Sequence, residues 1–131
     1  MTRPQPAGAL GEQTVEWVLV REGWKIIDHQ VRASGGHVLD LLAIHPDLGD
    51  EWLVEVKVWG PGPSGKDTVK KAIADAYDLQ QLGEPRSLLL VLSHRLDGLH
   101  GDMLRRAVRA GAINEVRIIG STEHYAHEED S

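Results

Sequence analysis

The chain has 131 residues, enough for one domain with a proper core, and its 41% hydrophobic and 26% charged residues are those of a globular protein. No apolar run reaches the length of a membrane span, the N-terminus lacks a signal-peptide pattern, and the lack of cysteine excludes disulfides, thiolate metal sites and iron–sulfur clusters. A cytoplasmic location is the default expectation, and the net charge of −6 argues at first against a nucleic-acid partner.

Residues 1–9, with two prolines, read as a flexible lead. Val15, Val18 and Leu19 at helical spacing predict a helix over residues 10–22, stopped by Gly23. Residues 25–31 read as a first strand, closed by Ser34-Gly35-Gly36. A second strand over residues 37–44 ends at Pro46, and residues 47–50 supply turn chemistry. The third strand, residues 52–59, precedes Gly60-Pro61-Gly62-Pro63-Ser64-Gly65, a loop that no regular element tolerates. Val69, Ala72, Ile73, Ala76 and Leu79 then predict an amphipathic helix over residues 67–82. The continuously apolar stretch 87–92 has the pattern of a central strand covered on both faces. A basic helix over residues 99–110 and a strand over 115–119 follow, and residues 121–131 read as an acidic, flexible tail. The order α-β-β-β-α-β-α-β predicts one α/β domain over residues 10–120, a mixed sheet flanked by helices.

Three charged residues interrupt two of the predicted strands. Asp40 lies within an apolar stretch from Val38 to Ile44, and Glu55 and Lys57 alternate with Val54, Val56 and Val58. An ionised side chain inside a sheet is costly unless it is paired or bound to a metal. The side-chain period of two puts Glu55 and Lys57 on one face, and a hairpin would bring Asp40 to the same face. Two carboxylates and an ammonium are the parts needed to hold a divalent metal and activate a water. The plainer alternative is a cross-strand ion pair on a solvated sheet face.

With that element order, the chain resembles the PD-(D/E)XK nuclease superfamily, and within it the archaeal Holliday-junction resolvases and related small bacterial proteins. The resemblance spans roughly residues 11–93. It rests on Asp40, on the Glu55-Val56-Lys57 triplet and on Glu12, which precedes Gly23-Trp24 by the spacing of the family's helical Glu. Leu39 stands where the motif's name has Pro. The resemblance implies a restriction-endonuclease-like core and a phosphodiesterase, an endonuclease acting on branched or duplex DNA as a homodimer. It implies Mg²⁺ or Mn²⁺ held by Asp40, Glu55 and the Val56 carbonyl, with Lys57 and Glu12 catalytic.

Other residues have two readings each. Glu16 shares the helix face of Glu12 and is either accessory or a surface acid. Arg32 and Ser34 either contact phosphate or form a plain turn. Lys66, Lys70 and Lys71 flank the Gly/Pro loop and either grip the nucleic-acid backbone or solvate a helix start. Gln80 either approaches the site or caps. Trp59 is the one tryptophan placed for base stacking. With the acids of the tail and of the proposed metal site set aside, the body is near neutral, which permits a local basic patch. Two other functions fit the same residues: a non-catalytic binding or accessory module, and a defence nuclease that needs a partner protein.

Overall fold

The computed structural model describes residues 7–58 and 64–119, with side chains for 13–58 and 67–119. Its elements are α1 (Ala7–Arg21), β1 (Lys25–Arg32), a 3-10 turn (Ser34–Gly36), β2 (Val38–Ile44), β3 (Glu51–Lys57), α2 (Ser64–Gln81), β4 (Ser87–Leu92), α3 (Gly98–Arg109) and β5 (Glu115–Ile118). This is the predicted order. Two helices start earlier than their apolar stripes suggested. α1 begins at Ala7, inside the expected lead, and α2 at Ser64, inside the expected Gly/Pro loop. The first turn of a helix needs no internal partner for its N–H groups, so residues outside the stripe can extend it. The acidic tail lies outside the described residues.

The five strands form one sheet in sequence order. β1, β2 and β3 pair antiparallel, whereas β3, β4 and β5 pair parallel. A parallel neighbour requires a crossover, and α2 and α3 supply the two crossovers. Both helices pack on one face, where Val69, Ala72, Ile73, Ala76, Leu104 and Ala107 meet Leu53, Leu88, Leu90 and Leu92. α1 covers the other face, where Val15 and Leu19 meet Leu41, Val54, Val56, Leu89 and Val91. β4 is therefore apolar on both sides, as its sequence requires.

The ends of the sheet are pinned differently. At the end where β1 begins and β2 finishes, Gly23 takes φ +100° after α1, and Trp24 N–H donates to Leu19 O at 2.9 Å. The turn sets Trp24 in a cluster with His45 and Trp52, ring centroids 4.8–5.6 Å apart. Between the 3-10 turn and the start of β4, Glu84 accepts hydrogen bonds from the Ser34 amide at 3.0 Å and hydroxyl at 3.1 Å, and from Arg86 Nε at 2.9 Å. These bonds, with the Arg86 guanidinium foremost, hold the Glu84 carboxyl down at about 2. A depressed carboxyl pKa stabilises the fold above its unfolded value of about 4.5 and loses that contribution as pH falls towards 2. Glu84→Ala should therefore cost roughly 2–3 kcal/mol at pH 7. The loss should shrink below pH 4, which denaturant titrations across pH would check.

Candidate active site

The site sits where β2 and β3 part. Their ladder runs from Ile44 opposite Glu51 to Leu41 opposite Val54 and goes no further. β3 continues to Lys57 paired with β4 alone. In the gap, a side chain takes over the role of a strand: Asp40 Oδ2 accepts the Val56 amide at 2.7 Å. Val56 turns its side chain into the α1-side core. Glu55 and Lys57 consequently face the side of α2 and α3.

The Glu55 and Asp40 carboxyls adjoin, and Lys57 Nζ stands 3.4 Å from Glu55 Oε2. The Glu55 and Lys57 side chains are only 14% and 21% exposed. Burial first, and then the adjoining Asp40 carboxylate, push the Glu55 carboxyl up to about 8, against the opposing pull of Lys57. Two carboxylates are crowded together with a single ammonium, in a place where ionising both is costly. That donor set suits a hard divalent cation, which favours carboxylate oxygens and relieves their mutual repulsion. Among the described residues no three His, Asp or Glu side chains converge as a metal site. Asp40 and Glu55 are the carboxylates that could hold such a cation here, since Mg²⁺ commonly accepts one or two carboxylates and completes its shell with water and substrate phosphate. Glu12 is carried on the half of α1 nearer this end of the sheet, one turn before Glu16, and its side chain lies outside the described residues.

The structure sorts the flanking candidates. Glu16 is engaged elsewhere: its Oε1 lies 2.8 Å from Nε2 of His29 on β1. Ser34 is a turn residue, since both its amide and its hydroxyl are committed to Glu84. Gln80 caps, its amide donating to Ala110 O at 2.7 Å near the far end of α2 from Lys57. Arg32 and Lys70 are exposed. Arg32 ends β1 opposite Val38, two residues from Asp40. Lys71 is bonded to Asp75 at 3.0 Å. Asp75 above all, and Glu55 to a lesser extent, hold its ammonium above the ordinary lysine value. The side chain of Lys66, and Trp59, lie outside the described residues. His37, just before β2, is tied to Asp78 of α2 at 2.7 Å, a strand-edge role.

Sequence reasoning passed over Ser93, His94 and Arg95. These follow β4 directly, and Ser93 N–H donates to Lys57 O at 3.1 Å. The available signal was that ligands gather at the carboxyl ends of parallel strands, which is where β3 and β4 both stop.

No protein-family model and no curated protein matches the chain. Solved structures do. An fdxN element excision controlling factor protein from Anabaena variabilis is 21% identical, with 82% of this chain and 88% of that one covered at a TM-score of 0.56. EndoMS in a complex with double-stranded DNA is 14% identical over 94% of this chain and 48% of its own, at a TM-score of 0.52. A repair endonuclease from Pyrococcus abyssi is 14% identical over 90% of this chain and 49% of its own, at 0.50. The fold is restriction-endonuclease-like. This chain spans about half the length of the two endonucleases, so the likeness concerns the nuclease fold and not their whole architecture. Among the described residues no helix is long and apolar enough to cross a membrane.

Proposed function

We propose that this chain is a metal-dependent endonuclease that hydrolyses phosphodiester bonds in DNA, with branched or junction DNA as its preferred substrate. The observation that carries the reading is the crowding of the Asp40 and Glu55 carboxylates at the β2–β3 fork, with Lys57 Nζ 3.4 Å from Glu55. The fold shared with EndoMS and the Pyrococcus repair endonuclease supports a nuclease. Junction DNA and a homodimer rest on the resemblance of the Asp40 and Glu55-Val56-Lys57 motif to small resolvases.

Asp40 and Glu55 would hold the cation, and Asp40 is preset for this by its bond to the Val56 amide. When bound, a divalent cation polarises the scissile phosphate and acidifies a coordinated water. Lys57, half-enclosed beside Glu55, orients the attacking water and stabilises charge building on the phosphate oxygens. Glu12 on α1 would position a second water or cation. Arg32, Lys66, Lys70 and Lys71 would take flanking phosphates, which gives an acidic chain the local basic surface it needs.

The test is incubation with junction, duplex and single-stranded DNA in Mg²⁺ or Mn²⁺, with chelator as control, beside calorimetric titration of the metal. Cleavage that chelator abolishes supports the proposal. Absence of both cleavage and metal binding overturns it. The latter result would favour a second reading, a non-catalytic module, which the name of the Anabaena neighbour, a controlling factor, independently suggests.

A further inference from the structure

Resting on that reading, we propose that the segment Ser93-His94-Arg95 is a DNA-backbone contact built onto the catalytic strand, binding a phosphate next to the one attacked. The parallel register places Lys57 beside Leu92. The bond from Ser93 N–H to Lys57 O, 3.1 Å, extends that ladder one step past the end of both strands. This bond ties the start of the segment to the Lys57 backbone, and Leu96, buried in the core, holds its other end. Neighbouring strands lie about 4.8 Å apart and the chain advances about 3.3 Å per residue. His94 and Arg95 thus follow directly on a residue hydrogen-bonded to the Lys57 backbone, and their long side chains start beside the catalytic strand.

The side chains suit the role. His94 is exposed, and its Nδ1 lies 2.8 Å from the Ser93 hydroxyl. An imidazole N–H is a donor suited to an anionic oxygen. Arg95 is also exposed, and Asp97 Oδ1 receives its Nε at 3.3 Å, which orients the guanidinium plane. Guanidinium forks match phosphate oxygens in pairs. Asp97 would act as a weak internal competitor that a phosphate displaces.

Full-length chains would be titrated against fluorescein-labelled duplex and junction DNA in chelator, and again with Mg²⁺ in a Glu55→Gln background, over a range of salt. Arg95→Ala should weaken binding roughly tenfold at low salt and reduce the salt slope by about one, with His94→Ala weaker in effect. Asp97→Asn should tighten binding. Lys25→Ala, which removes one positive charge at the opposite end of the sheet, is the control for net charge. Arg95→Ala indistinguishable from Lys25→Ala, while the parent binds DNA, overturns this inference and leaves the nuclease reading standing. A parent that binds no DNA in either condition overturns both.

Discussion

Glu55→Gln is expected to abolish DNA cleavage and, in the same molecule, to make the metal-free protein more stable at alkaline pH. The Glu55 carboxyl moves from an ordinary 4.5 to about 8 on folding, chiefly through burial and then through Asp40. The folded state therefore holds a proton that the unfolded state releases between those two values. Stability from this group is fully present below pH 4.5 and is lost as pH climbs through 8. Glutamine, always neutral, escapes the loss. With the side chain 14% exposed, the gain at pH 9 should be on the order of 2–4 kcal/mol, shrinking to nothing near pH 5, by urea denaturation in chelator. Binding of Mg²⁺ or Mn²⁺ requires the carboxylate, so the parent should release about one proton per cation at pH 7, seen as a buffer-dependent heat. A variant that still cuts DNA would end the assignment of Glu55 as a ligand. A parent whose stability is flat between pH 5 and 9 would end the account of why the site wants a cation.

Asp40 is expected to separate structure from chemistry. Asp40→Asn retains an oxygen for the Val56 amide, 2.7 Å away in the parent, and should fold with near-parental stability. Its neutral amide is a poor ligand for a hard cation, so cleavage should drop by a factor of about 10³ or more. Asp40→Ala should lose cleavage equally and also cost about 1–3 kcal/mol, because the half-buried Val56 N–H no longer has an acceptor. Removing the Asp40 charge should also bring the Glu55 carboxyl back down, an effect NMR titration of the Glu55 side chain would report. An active Asp40→Asn, or an alanine variant as stable as the asparagine one, would contradict this division.

Reading by period succeeded where burial is periodic. The Ser87–Leu92 strand matched its predicted limits, and the alternation of Glu55 and Lys57 with Val54 and Val56 matched the division of the two core clusters. For three polar residues around the site, the structure selects the plainer of two readings that local spacing left open. Glu16, Ser34 and Gln80 each spend their polar groups on partners 13, 50 and 30 residues away. Nothing in local spacing reveals a partner that far along the chain.

The amino-acid pattern alone determined the order of elements, the two-faced sheet and the side on which Glu55 and Lys57 must lie, because solvent exclusion acts on every second or every third to fourth residue. The three-dimensional arrangement decided that β2 and β3 separate after Leu41 and Val54, letting Asp40 reach across to the Val56 amide and meet Glu55. It also decided that β4 ends beside Lys57, delivering Ser93 and its neighbours to the same spot. Such meetings depend on strand register and on where pairing stops, and these are fixed by the packing of whole layers and not by any short run of residues.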